Sequence, residues 1–230
     1  MKSSVDRLKR EAARAAVAEV EAGMRVGLGT GSTVAFAIEA LAERVAAGLA
    51  ITAVATSLAT ERAAWAAGIA ITSFETLAEV DLAIDGADEV DGALRAIKGA
   101  GGAMLREKVV AASARRMIAI VDEGKLVEAL GKAPLPVEIL PFAATFVTRR
   151  IEALGARVTR RTALGDPYRT DQGNGVLDCA FGPIADAHAL DTALNAMPGV
   201  LGHGLFLDEI DAVFVGTPGG VRRIERDRER

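Results

Sequence analysis

The sequence predicts an α/β protein: a Rossmann-like parallel-sheet domain with a smaller α+β domain of ferredoxin-like pattern. Short apolar strands alternate with helices as far as Val121, and glycine-rich turns follow several of the strands. Near-continuous apolar strands of this kind are typical of a parallel sheet that is covered on both faces. The pattern changes after Gly131, where Pro134, Pro136 and Pro141 fall within eight residues and indicate a boundary.

The first domain is predicted from alternating helix and strand patterns. The opening helix is rich in Ala, Glu and Arg, which favour helices, and Gly23 stands where a left-handed residue ends it. The predicted helices cover residues 5–21, 32–47, 58–67 and 102–114. The predicted strands cover residues 24–29, 51–55, 69–71, 81–84, 94–97 and 117–121.

The second domain is predicted over residues 132–207, and the first over 1–131 together with about 208–230. Helices are expected at 145–154 and 185–197, and strands at 156–162, 176–181 and 200–207. A buried-type strand at 212–215 is expected to return to the first sheet. Residues 222–230 alternate in charge and are predicted to be a solvated tail.

Composition excludes several classes of protein. Half of the 230 residues are hydrophobic, which is too many for a disordered chain, and the net charge of −4 argues against broad binding of nucleic acid. One cysteine and two histidines give neither a disulfide nor a Cys/His zinc cluster. No apolar run is long enough to span a bilayer, so we expect a cytoplasmic protein without membrane partners.

The first chemical motif is the loop Gly27-Leu-Gly-Thr-Gly-Ser-Thr33, between a strand and a helix. Its hydroxyls and the amides of the helix start can donate to an anion such as phosphate. A Walker A loop would need a lysine, and a dinucleotide fingerprint would need glycine at Ser32 and an acid after the second strand. A plain glycine-rich turn remains the alternative interpretation.

Two further motifs follow later strands. Asp85-Gly-Ala-Asp-Glu-Val-Asp91 places four acids at a strand end, where it forms either a site or a polar turn. Lys98-Gly-Ala-Gly-Gly102 is a second possible anion loop, and Glu107 on the next helix could direct a carboxylate to the same end of the sheet. The alternative for Glu107 is a surface charge run with its neighbours.

Taken together, these motifs resemble the ribose-5-phosphate isomerase type A family over nearly the whole chain. The glycine loop, the segment from Asp81 to Glu89 and the segment from Ile97 to Gly102 are similar to the three binding loops of that family. Arg106-Glu-Lys108, Lys125, Pro134-Leu-Pro-Val-Glu138 and Pro198-Gly-Val200 follow in family order.

The resemblance implies interconversion of D-ribose 5-phosphate and D-ribulose 5-phosphate, without a metal or an organic cofactor, by a homodimer or homotetramer. It implies catalytic roles for Glu107 as the proton acceptor and for Asp85, Asp88 and Lys98. The implied substrate-binding residues are Thr30, Gly31, Ser32, Thr33, Asp85, Gly86, Ala87, Asp88, Lys98, Gly99, Ala100, Gly101 and Lys125. Lys9 is a further candidate beside the phosphate.

Ala100 departs from the glycine triplet of some family members, and a positive φ there would be strained.

The alternative function from another class of protein is a non-catalytic sugar-phosphate sensor, but such a regulator normally carries a helix-turn-helix segment. A sugar-phosphate deaminase or a coenzyme A transferase is the enzymatic alternative. Trp65 is expected to pack between helix and sheet.

Overall fold

The structure, a computed structural model, describes residues 2–227 and contains helices and strands in alternation. The helices are α1 (Lys2–Val17), α2 (Ser32–Ala46), α3 (Leu58–Ala66), α4 (Met104–Ala112), α5 (Ala144–Glu152) and α6 (Ala187–Asn195). The strands of the larger sheet are β1 (Arg25–Leu28), β2 (Thr52–Ala55), β3 (Leu82–Gly86), β6 (Met117–Asp122), β14 (Ala212–Thr217) and β15 (Gly220–Glu225). The remaining strands are β4 (Glu89–Val90), β5 (Ala96–Ile97), β7 (Leu135–Ile139), β8 (Arg157–Arg160), β9 (Thr162–Ala163), β10 (Asp166–Pro167), β11 (Gly175–Ala180), β12 (Val200–His203) and β13 (Leu205–Phe206).

The larger sheet has the order β15-β14-β6-β3-β1-β2. Its strands run parallel except for β15, which pairs antiparallel with β14. The chain moves from β1 to β2 towards one edge and from β3 through β6 towards the other. The carboxyl ends of β1 and β3 therefore lie where the strand order reverses, and open α/β sheets bind their ligands at this point.

Side chains of β1 alternate between the two faces of this sheet. Val26 and Leu28 are fully buried in a core that α1 and α2 share with the sheet. Gly27 lies between them and faces α4, where an added Cβ would stand 2.5 Å from Cγ1 of Val110. Glycine at this position therefore allows α4 to pack close to the strand.

A second sheet is antiparallel with the order β12-β7-β11-β8. The chain runs through it as β7-α5-β8-β11-α6-β12, which is the βαββαβ connectivity of a ferredoxin-like unit. Val137, Ile139, Val147, Ile151 and Leu194 are fully buried in its core. The sequence prediction of an α/β fold with a ferredoxin-like part is confirmed.

The chain divides into two compact units. The first contains the described residues up to Ala87, Arg106–Leu126 and those from Asp208; the second contains Asp88–Leu105 and Val127–Leu207. Residues 88–105 and 127–131 therefore group differently from the predicted domain boundaries. The physical reason for the first segment is strand pairing, because β4 and β5 join β13 in a separate three-stranded sheet.

Three local predictions were wrong. Residues 69–71 form no strand, because only Ile71 makes an isolated bridge to Ala53. The predicted strand 200–207 is broken into β12 and β13, which belong to different sheets. Residues 220–225 form an edge strand rather than a tail; its mostly exposed side chains explain the alternating charge, and residues 228–230 lie outside the described residues.

Trp65 also differs from expectation, since it is 76% exposed. Helix α3 buries Thr60 and Ala64, which are four residues apart on one helical face. Trp65 is the next residue after Ala64 and is rotated by about 100° from that face.

Candidate active site

Several candidate site residues of the first unit lie at one edge of its sheet. Because β1, β3 and β6 are parallel, their carboxyl ends meet at the same edge. The glycine loop follows β1, Asp85 stands near the end of β3, and Lys125 lies in the 3-10 helix Glu123–Lys125 directly after β6. Lys125 is half-buried there.

The glycine loop ends at the start of α2. Gly31 is the N-cap residue with a φ of 121°, in the region that favours glycine. Ser32 is the first helical residue, and its Oγ accepts a hydrogen bond of 3.1 Å from Nζ of Lys9. Backbone N–H groups at a helix start, a hydroxyl and an ammonium together form a suitable environment for a phosphate.

Thr30 is anchored by hydroxyls that the sequence analysis did not select. Its Oγ1 lies 2.8 Å from Oγ1 of Thr56 and 2.9 Å from Oγ of Ser57. Thr60 completes the cluster by donating to the carbonyl oxygen of Gly29 at 2.7 Å. The signal in the sequence was the Thr56-Ser57 pair before a helix, since Ser57 caps α3.

Asp85 is buried and holds the glycine loop. Its Oδ1 accepts hydrogen bonds from the N–H groups of Thr30 at 3.0 Å and Gly86 at 2.7 Å. Gly29 approaches it so closely that an added Cβ would stand 1.9 Å from Cγ of Asp85. Glycine at position 29 is therefore required for this contact.

Glu107 is the fourth residue of α4, and only 3% of it is exposed. It lines a small crevice together with Gly29, Thr56 and Asp85. Two carboxylates and the glycine loop thus line the same crevice of the first unit. A buried glutamate beside a second carboxylate is a suitable group for moving a proton.

Asp88 and Lys98 belong to the second unit, where they flank the paired strands β4 and β5. Lys98 is 2% exposed, and its Nζ lies 5.3 Å from the ring centroid of Phe206. Its backbone N–H donates to the carbonyl oxygen of Gly204 at 2.9 Å. An added Cβ on Gly204 would stand 2.0 Å from the carbonyl oxygen of Lys98, a requirement that sequence analysis missed.

The loop after Lys98 closes a tight turn, since the N–H of Gly102 donates to the carbonyl oxygen of Gly99 at 2.9 Å. Gly99 and Gly102 have φ values of 99° and 77°, whereas Ala100 is not among the residues with positive φ. The strain considered for Ala100 is therefore absent. Its N–H donates to Oδ2 of Asp88 at 2.9 Å.

The other two acids of the predicted cluster have structural contacts. Glu89 accepts hydrogen bonds from the N–H groups of Gly131, at 2.8 Å, and Ala133. Asp91 accepts from the N–H of Arg95 at 3.0 Å and pairs with its guanidinium.

Among residues 2–227, no three His, Cys, Asp or Glu side chains form a group that could hold a metal ion. Within that same range no helix is sufficiently long and apolar to cross a membrane.

A buried glutamate beside an aspartate and a glycine loop, at the strand ends of an α/β sheet, is typical of an enzyme that moves protons. The family model of ribose 5-phosphate isomerase A (phosphoriboisomerase A) matches residues 52–220. The chain belongs to this family and is an isomerase.

Similar proteins cover almost the whole chain. A ribose-5-phosphate isomerase A from Sphingopyxis alaskensis is 55% identical, over 89% of this chain and 90% of that protein. The one from Thermomicrobium roseum is 50% identical, over 97% of this chain and 95% of its own. A solved D-ribose-5-phosphate isomerase in complex with phospho-erythronic acid gives a TM-score of 0.94 at 38% identity, covering 96% of this chain and 99% of that one. The enzyme from Plasmodium falciparum gives 0.93 at 34% identity, with 97% and 100% covered.

Proposed function

We propose that this isomerase interconverts D-ribose 5-phosphate and D-ribulose 5-phosphate through an enediolate, in the non-oxidative pentose phosphate pathway. The observation that carries the chemical part is the shared crevice of Glu107 and Asp85 beside the glycine loop. Aldose–ketose isomerisation moves one proton between adjacent carbons and one between their oxygens, so it needs a base and a hydroxyl proton carrier.

In the forward direction, the Glu107 carboxylate takes the proton from C2 of the open-chain aldose. The C2–H electron pair forms the C1–C2 double bond, and negative charge moves to the carbonyl oxygen on C1. Glu107 then returns the proton to C1, while the proton of the C2 hydroxyl is transferred to the oxygen on C1. The product is the ketose, and Glu107 is again a carboxylate.

The other residues of the proposal bind the substrate and its developing charge. The Lys98 ammonium stabilises negative charge on oxygen, which costs little reorganisation because Lys98 is already held in place. Asp85 and Asp88 hold sugar hydroxyls, assist ring opening and carry the hydroxyl proton. Thr30, Ser32 and the remaining glycine-loop residues hold the phosphate, with Lys125 and Lys9 supplying positive charge. The contact between Lys9 and Ser32 supports the role of Lys9.

Glu107→Gln tests the base. The variant keeps the size of the side chain but cannot accept a proton near neutral pH, so turnover should fall by about 10²–10⁴-fold. The Michaelis constant should change much less, because the lost interaction belongs mainly to the transition state. Exchange of the C2 hydrogen with solvent deuterium, followed by NMR, should slow in parallel.

Glu209→Gln is the matched control, because it replaces a carboxylate by an amide in the same way. Glu209 pairs at 3.3 Å with Lys108, the residue that follows Glu107. It should keep wild-type turnover. Near-normal turnover and exchange in Glu107→Gln would show that another group is the base, and Asp85 would then be tested first.

We also propose a cytoplasmic homo-oligomer, a dimer or a tetramer. Exposed aromatic side chains support an interface, since Phe142 is 96% and Phe146 52% exposed. Light scattering after size exclusion should give two or four times the 23.8 kDa chain mass. A mass of one chain at micromolar concentration would contradict this part of the proposal.

A further inference from the structure

Arg161 holds the backbone of the turn after Lys98. It belongs to none of the sequence motifs described above and was not predicted as a site residue. Its Nη1 donates to the carbonyl oxygens of Gly99 at 3.1 Å and Ala100 at 3.0 Å. One guanidinium nitrogen therefore fixes two successive peptide groups. All of these residues belong to the second unit.

Arg161 is itself held in place. Its Nε donates to Oδ2 of Asp178 at 2.9 Å, and Nη2 donates to Oδ1 of the same carboxylate. This two-point pairing fixes the plane of the guanidinium and is a geometry that lysine cannot reproduce. The Tyr168 ring lies 5.7 Å from the guanidinium carbon, and its hydroxyl donates to the carbonyl oxygen of Gly101 at 3.3 Å.

Peptide geometry converts these contacts into a direction for the N–H groups. In a trans peptide, the carbonyl of one residue and the N–H of the next point in opposite directions. With the Gly99 carbonyl on Arg161, the N–H of Ala100 points away from it and meets Asp88, as observed. With the Ala100 carbonyl also on Arg161, the N–H of Gly101 must point away from it too.

Some N–H groups of the turn have acceptors within the protein and others do not. Those of Ala100 and Gly102 donate to Asp88 and Gly99 respectively. Across residues 2–227, the N–H groups of Gly99 and Gly101 donate to no acceptor. Of these two, only the Gly101 N–H belongs to a peptide group whose carbonyl Arg161 holds, so it is the donor that Arg161 orients towards a ligand.

We propose that Arg161 is a positioning residue, which fixes the turn so that the Gly101 N–H donates to an oxygen of the bound sugar phosphate. The inference rests on the proposed substrate-binding role of the Lys98 loop. A donor that is fixed before the reaction stabilises developing negative charge without reorganisation. Without Arg161, the Gly99–Ala100 peptide keeps its hydrogen bonds to Asp88 and Gly102, but the Ala100 carbonyl loses its donor and the Gly101 N–H loses its orientation.

The test compares Arg161→Met with Arg160→Met, the same change at the exposed neighbouring residue. With ribose 5-phosphate, kcat for Arg161→Met should fall by about 10- to 100-fold with little change in KM. The inhibition constant of phospho-erythronic acid should rise in parallel. That of inorganic phosphate should stay unchanged, because the phosphate is assigned to the glycine loop of the first unit. Arg160→Met should behave as the wild type.

Arg161→Lys is the second variant, and it keeps a positive charge opposite Asp178. It should restore only part of the lost kcat, because an ammonium cannot hold both carbonyls and pair at two points. Hydrogen exchange of residues 98–104, followed by mass spectrometry, should speed up in both Arg161 variants and not in Arg160→Met.

Wild-type kcat and inhibitor affinity in both Arg161 variants would overturn the inference while leaving the proposed function intact. A fall in kcat with unchanged phospho-erythronic acid affinity and unchanged hydrogen exchange would also overturn it. A wild-type protein that does not isomerise ribose 5-phosphate would remove the proposed function itself.

Discussion

Gly29→Ala tests the contact between the glycine loop and Asp85. The added Cβ would stand 1.9 Å from Cγ and from Oδ1 of Asp85, whereas carbon atoms in contact are about 3.5 Å apart, so the carboxylate must move by roughly 1.5 Å. That movement breaks its hydrogen bonds to the N–H groups of Thr30 and Gly86. We expect a loss of unfolding free energy of about 1–3 kcal/mol.

Gly29→Ala should lower activity as well as stability. A displacement of this size at a site of catalysis lowers turnover by about 10²-fold, while the fold remains intact. Turnover of ribose 5-phosphate and urea denaturation of the same samples measure the two effects. Gly219→Ala is the control, since an added Cβ there meets only Oγ1 of Thr217 at 3.8 Å and its φ is not positive.

A double-mutant cycle identifies the cause of the stability loss. In the Asp85→Ala background the two contacts at 1.9 Å with the carboxylate are gone and only the contact at 2.5 Å with Cβ of residue 85 remains, so Gly29→Ala should then cost less unfolding free energy than in the wild type. Equal costs in the two backgrounds, or wild-type turnover in Gly29→Ala alone, would refute the conclusion that glycine is required for the approach of Asp85.

Three other predictions follow from single side chains. Lys125→Ala should weaken binding of ribose 5-phosphate in calorimetry without unfolding the protein, and equal affinity of the wild type for unphosphorylated ribose would contradict a phosphate site. The hydrogen bonds of Arg25 hold the pKa of Asp81 below its ordinary value of 3.8, so this carboxylate stabilises the fold above that value and the contribution is lost as pH falls through the lower, folded-state pKa. Asp81→Asn should therefore flatten the loss of stability below pH 4 in acid titrations followed by circular dichroism; an unchanged slope would contradict this. Burial raises the pKa of the Cys179 thiol to about 12, so a thiol reagent at pH 8 should label the folded protein far more slowly than the urea-unfolded one, and equal rates would show an accessible thiolate.

The local parts of the site could be predicted from the sequence. The loop from Gly27 to Thr33 is a contiguous strand–turn–helix segment, so its glycines and hydroxyls are visible without knowledge of the fold. The same holds for Lys98 and its glycines. The helical pattern placed Glu107 on α4 but left a surface charge run as the alternative, and only the family resemblance implied a catalytic role for it.

Contacts across the fold could not be predicted in this way. Gly204 and Arg161 both contact the Lys98 segment but come from distant parts of the chain. Strands β4, β5 and β13 have two residues each, which is too short for a period-two pattern to be recognised. The edge strand 220–225 was mistaken for a tail because exposed charges are typical of both.

Asp85 and Asp88 each hold a different loop, Asp85 in the first unit and Asp88 in the second. Asp85 joins the end of β3 to the glycine loop through the N–H of Thr30, and Asp88 joins its own segment to the Lys98 loop through the N–H of Ala100. Each carboxylate therefore fixes one binding loop in addition to any contact with the sugar. An alanine at either position removes the anchor and the charge together, whereas asparagine keeps an acceptor oxygen and removes only the charge. The comparison of the two substitutions at each position consequently separates positioning of a loop from transfer of a hydroxyl proton, because only the second needs a group that can ionise.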